Sequence, residues 1–134
     1  MAGYSGTPLP KKLGIKTGSR VRLLGAPGAF HGILVAELPE GAVFTDGVAD
    51  VAIVFAEWER DLLERVAAVR PTLPDAASLW VAWPKRASKR PTDITEDRLR
   101  ALFLPTGLVD NKVCAIDEVW SGLRFVLRVE LRGR

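Results

Sequence analysis

Five consecutive apolar residues, Val51-Ala52-Ile53-Val54-Phe55, follow Asp50 and constrain this chain more than anything else in it. Side chains alternate across a strand, so a strand that is apolar at every position must be covered on both faces. Such strands belong in the middle of a parallel sheet flanked by helices. A second run, Ser78-Leu79-Trp80-Val81-Ala82-Trp83, has the same character and is stopped by Pro84. Between the two, Trp58, Leu62, Val66 and Val69 recur at helical spacing, predicting a helix from about Glu57 to Arg70. Its first turn holds Glu57, Glu59 and Asp61, where the helix dipole favours negative charge, and Pro71 and Pro74 lie beyond its end. Strand, crossover helix, strand is the unit that builds a parallel sheet.

The rest of the chain extends this pattern. Residues 1–10 read as a flexible arm and residues 11–134 as one domain, with a short helical turn over Lys11–Ile15. Arg20–Leu24 reads as the first strand, stopped by Gly25-Ala26-Pro27-Gly28. Phe30, Ile33, Leu34 and Leu38 predict a helix of about two turns, and Ala42–Thr45 a short second strand closed by Asp46-Gly47. Asp93 with Glu96 forms a capping-box pattern, with Thr92 as the alternative cap, for a helix over Ile94–Leu104. Leu108–Ile116 is another strand and Asp117–Gly122 a turn. Leu123, Phe125, Leu127, Val129 and Leu131 then alternate with Arg124, Val126, Arg128, Glu130 and Arg132, predicting a strand with one wet face. The fold class is therefore α/β: a three-layer sandwich around a mostly parallel sheet of about six strands, closed by a C-terminal antiparallel hairpin. Ligands of such sheets bind outside the carboxyl ends of the strands, near the point where strand order reverses.

Several chemistries are excluded. One His and one Cys in 134 residues leave no His/Cys zinc site within a single chain. The lone Cys114 forms no intrachain disulfide and fits a reducing compartment. No stretch approaches the ~20 apolar residues of a membrane helix, and the N-terminus has no apolar signal-peptide core, so the expected location is cytoplasmic. Gly25–Gly28 lacks the Lys-Ser/Thr of a P-loop, and no G-x-S-x-G nucleophile elbow is present. The net charge of +3 does not define a nucleic-acid surface, because basic and acidic blocks alternate: five bases in residues 1–25, eight acids in 26–64, six bases in 65–90.

Lys12-Leu13-Gly14-Ile15-Lys16-Thr17-Gly18-Ser19-Arg20-Val21 followed by Leu24-Gly25 resembles the entry into a class I S-adenosylmethionine-dependent methyltransferase, and Leu73–Val81 resembles the turn into that family's fifth strand. The resemblance implies a Rossmann-like fold and a cofactor site at the first strand-helix loop. It also shows departures. Leu23 stands where the family has an acid for the cofactor's amine, Pro27 where it has its second glycine and Ala29 its third. Proline has no N–H and a fixed φ. The chain is also one strand-helix unit short of a full methyltransferase core. More specifically, Pro8–Val21, Leu79–Ser88, Thr92–Asp97 and Gly107–Val126 resemble the actinobacterial domain-of-unknown-function family 3052, which implies the same fold and no established activity.

The candidate ligand edge comprises Gly25, Pro27, Gly28, Phe30, Asp46, Trp83 and Lys85. Asp46 lies 21 residues after Gly25, where an acid commonly meets ribose hydroxyls, although Asp46-Gly47 is also an ordinary turn pair. Lys85-Arg86-Ala87-Ser88-Lys89-Arg90 is the densest basic run, suited either to an anion at a helix start or to a solvated loop. Trp83 and Trp120 suit stacking on a base or packing in the core. His31 is a base without a paired nucleophile, and Cys114 a small buried hydrophobe. The preferred reading is a non-catalytic domain, without a cofactor, that binds a protein partner, a second copy through an edge strand, or an anionic small molecule. The alternatives are a divergent enzyme using S-adenosylmethionine or a nucleotide, and a nucleic-acid contact through residues 85–90 with Arg124, Arg128 and Arg132.

Overall fold

The computed structural model describes residues 7–133. Its elements are α1 (Leu9–Lys12), β1 (Arg20–Leu24), α2 (Gly28–Val35), β2 (Val43–Phe44), β3 (Val51–Phe55), α3 (Glu59–Val69), β4 (Ser78–Pro84), α4 (Glu96–Phe103), β5 (Leu108–Ala115) and β6 (Trp120–Leu127). The strands form one sheet in the order β2-β1-β3-β4-β6-β5. The β2, β1, β3 and β4 strands pair in parallel, and β6 pairs antiparallel with both β4 and β5. The strand order reverses at β1, whose neighbour on one side is β2 and on the other β3.

Every residue of β3 and of β4 is buried. Alternation sends their side chains into two separate cores. Val51, Ile53, Phe55, Trp80 and Ala82 meet Leu9, Leu13, Phe30 and Leu34 of the α1–α2 side. Ala52, Val54, Leu79, Val81 and Trp83 meet Leu62, Val66, Val69, Leu99 and Phe103 of α3 and α4. Each Val, Leu, Ile or Phe side chain buried in this way contributes roughly 1.5–3 kcal/mol over leaving it in water. Trp80 adds a polar tie, donating from Nε1 to the Leu13 carbonyl at 2.9 Å, which holds the end of α1 on the sheet.

Three expectations change. The arm expected over residues 1–10 does not include Leu9 and Pro10, which are buried in α1, where Pro10 sits in the first turn and needs no N–H partner. The part of that arm formed by residues 1–6 lies outside the described residues. The last strand stops at Leu127, and Val129–Leu131 is a 3-10 turn with Val129 75% exposed, so the alternation to Leu131 outruns the ladder. Finally, α4 begins later than its capping box suggests. Thr95 is its N-cap, accepting from the Arg98 N–H at 3.1 Å. Asp93 serves another helix, its Oδ1 accepting from the Glu59 N–H at the start of α3 at 2.7 Å.

At the free edge of the sheet, β5 carries a bulge between Asp110 and Lys112, and Lys112 is exposed there. Bulges and lysines are how edge strands resist added strands.

Candidate functional site

The carboxyl ends of the parallel strands divide into two regions. The first is the turn after β1. Leu24 pairs with Val54, so Gly25 comes level with the end of β3. Gly25 has φ +67°, and a Cβ there would lie 2.6 Å from the Phe55 carbonyl oxygen and 2.8 Å from Arg65 Nη1. Only glycine tolerates both the left-handed backbone and that approach. Arg65 reaches in from α3, and its Nη1 donates to the Phe55 carbonyl at 2.6 Å. The glycine is thus explained by protein–protein contact within the chain.

Phe30, an expected ligand residue, is 4% exposed; its ring meets Phe55 edge-on at 4.8 Å, and Phe55 meets Trp120 at 5.1 Å. The three rings form a buried aromatic stack beneath the strand ends. Trp120 is therefore core rather than a platform for a base. Pro27 is the N-cap residue of α2 without a side-chain cap, and Gly28 is the helix's exposed first residue.

Asp46 is separated from this turn. The β2 ladder pairs Val43 and Phe44 with Arg20 and Val21, near the amino end of β1, so the strand ends well below Gly25. Asp46 is exposed and lines a cavity of about 320 Å³ with Leu23, His31, Phe44 and Thr45. His31 lies against the Phe44 ring at 4.3 Å. The turn after β2 is closed by Thr45, whose Oγ1 accepts from the Gly47 N–H at 3.0 Å, so the Asp46 carboxylate is not spent on it.

The second region is the loop after β4. Trp83, Pro84, Lys85, Arg86, Lys89, Arg90, Thr92, Ile94, Thr95, Glu96 and Ser121 line an open groove of about 590 Å³. Trp83 and Ile94 are buried and form its floor. The loop is held by neutral groups. Lys85 N–H donates to Val119 O at 2.7 Å, Ser88 Oγ to Lys85 O at 2.7 Å, and Thr92 Oγ1 to Glu57 O at 2.5 Å. Lys89 sits at φ 60°, a left-handed turn that lets the chain double back.

Other candidates resolve differently. The Cys114 thiol is half-buried in β5, and burial pushes its pKa up, so it is a poor nucleophile. Arg124 donates to Ser78 Oγ, Arg128 to Leu104 O and Arg132 to Leu127 O, so these three arginines form no free basic stripe. Among the described residues no cluster of His, Cys, Asp or Glu side chains can hold a metal ion, and no helix is long and apolar enough to cross a membrane. Sequence reading missed Arg65. It stands at the border of the buried stripe of α3, one residue before Val66, and that position was the available signal.

This sheet, with its reversed β6, defines a methyltransferase-like Rossmann fold. The chain is similar to an S-adenosylmethionine-dependent methyltransferase from Aquifex aeolicus, with TM-score 0.67 and 12% identity over 90% of this chain and 88% of that one. It is also similar to the Bacillus subtilis m1A22 tRNA methyltransferase TrmK (TM-score 0.59, 11% identity, 96% and 67% covered) and to the mitomycin 7-O-methyltransferase MmcR (0.64, 12%, 87% and 50%). At these identities the likeness is one of fold. No protein-family model matches the chain, and no curated protein matches it.

Proposed function

We propose that this chain is a non-catalytic binding domain built on a methyltransferase fold, one that does not hold S-adenosylmethionine at the turn after β1. The observation that carries this reading is Arg65. Its guanidinium lies against Gly25 and is hydrogen-bonded to Phe55 O, in the crevice where such folds take their ligands. A guanidinium there disfavours a cofactor whose ammonium and sulfonium outweigh its single carboxylate, and it occupies the space beside the turn. Leu23 offers no carboxylate to offset it, and Pro27 offers no N–H. Membership of the actinobacterial family 3052 and a cytoplasmic location belong to the same proposal.

The test is a thermal-shift and calorimetric titration with S-adenosylmethionine and S-adenosylhomocysteine. A ligand at about a hundred times its Kd adds roughly 2.7 kcal/mol, or several degrees in a domain of this size. The expected result is no shift with either compound; a saturable shift overturns the proposal.

The cavity at Asp46 supports a second reading, a nucleoside-binding domain. A free carboxylate suits ribose hydroxyls, and the volume of about 320 Å³ lies in the range of small-molecule sites. On this reading Asp46→Ala abolishes adenosine binding; unchanged binding, or none in the parent, removes it.

A further inference from the structure

The groove after β4 gathers four cations that no acid among the described residues holds. Among the described residues, Arg20, Arg22, Arg60, Arg98, Arg100 and Arg124 are bonded or paired to side chains of the chain. Arg65, Arg70, Arg128 and Arg132 donate to backbone carbonyls. Arg86 alone has no such partner, and Arg90 has only the face of Trp120, at 5.9 Å. Lys85 and Lys89 are likewise without a side-chain partner among the described residues. Four cations within six residues therefore line one groove. Its single acid, Glu96, is held by Arg100 at 2.9 Å. Asp93, the nearby carboxylate, is committed to the start of α3.

Like charges gathered without acids repel one another, so the arrangement costs the free protein stability. The loop is nevertheless ordered, and by groups other than the cations: the Ser88 and Thr92 hydroxyls, the Lys85 N–H, and the left-handed turn at Lys89. A preformed cationic groove whose charges are not spent on holding its own shape is preorganised for an anion. The volume of about 590 Å³ suits a small molecule, and the buried floor of Trp83 and Ile94 closes it beneath. Four point and fork charges spread along a groove match several linked phosphates better than one carboxylate.

We propose that the Lys85–Glu96 groove binds a small polyphosphate compound, such as a nucleoside polyphosphate. This rests on the reading of the chain as a binding domain. It is separable from the Gly25 turn, because binding of S-adenosylmethionine would overturn that reading and leave the groove's titration unaffected.

The test is calorimetric titration of the full chain with inorganic tripolyphosphate, ATP and a single-stranded oligonucleotide, at low and at moderate salt. One equivalent of tripolyphosphate and of ATP is expected to bind, more weakly as salt rises, since the contacts are between exposed charges. Arg86→Ala/Lys89→Ala, at two exposed positions, is expected to weaken binding by about tenfold or more with a melting temperature equal to or slightly above the parent's. No heat with either phosphate compound, or equal binding by the double variant, overturns the proposal. So does an oligonucleotide that binds more tightly than ATP with a steeper salt dependence, which assigns the loop to nucleic acid instead.

Discussion

The two regions of the strand-end edge use arginine in opposite ways. After β1, a guanidinium is drawn into the turn and spent on a backbone carbonyl, and the glycine beneath it leaves no room for anything larger. After β4, guanidinium and ammonium groups line a groove without an acid partner, Arg90 resting over Trp120, while neutral side chains hold the loop. The first region treats positive charge as structure and the second keeps it in reserve. One arginine from α3 is thus bonded within the turn after β1, while those after β4 make no such bond.

The comparison can be broken at Gly25 first. Gly25→Ala imposes a left-handed backbone on a Cβ that also meets Phe55 O at 2.6 Å. The expected loss is about 3 kcal/mol, read as a fall of roughly 10 °C in melting temperature. A fall of under 2 °C would mean the turn relaxes easily and does not require glycine. Arg65→Ala comes next. It removes a charged donor from the Phe55 carbonyl, with an expected cost of about 1.5–3 kcal/mol by chemical denaturation. No loss would show the guanidinium to be idle. Arg86→Ala sharpens the contrast from the other side, because it breaks no contact in the free protein. Its expected effect is within about 0.5 kcal/mol of the parent in the same denaturation experiment.

How much of this was legible in the sequence depended on whether the cause was local. The unbroken apolar runs at Val51–Phe55 and Ser78–Trp83 could only be central strands, and they are. The stripe Leu62, Val66, Val69 likewise placed α3. The alternation that continued to Leu131 was misleading, because β6 runs out of partners where β5 begins, at Leu108 opposite Leu127. The capping box at Asp93 failed for a similar reason. An Asp two residues before Thr95 is a good cap in isolation, but here its nearest open N–H belongs to a helix 34 residues away in sequence. Of the candidate site, Gly25 could be read as a required glycine, while the reason for it could not. Arg65 acts on Phe55, ten residues earlier, only because α3 folds back over β3. Phe30 and Trp83 lay next to the strand ends in sequence, and only three-dimensional packing shows that their rings face inward.

The cap that Asp93 supplies has a mechanical consequence. Together with the hydroxyl of Thr92 on Glu57 O, it fastens the segment between the basic loop and α4 to the first turn of α3. Displacing the Thr92–Asp93 segment strips two bonds from the entry to a neighbouring helix. The segment leading into α4 and the start of α3 are thus coupled, so that opening either exposes groups of the other. Rigidity that a short surface loop could not generate alone is borrowed from the layer beside it.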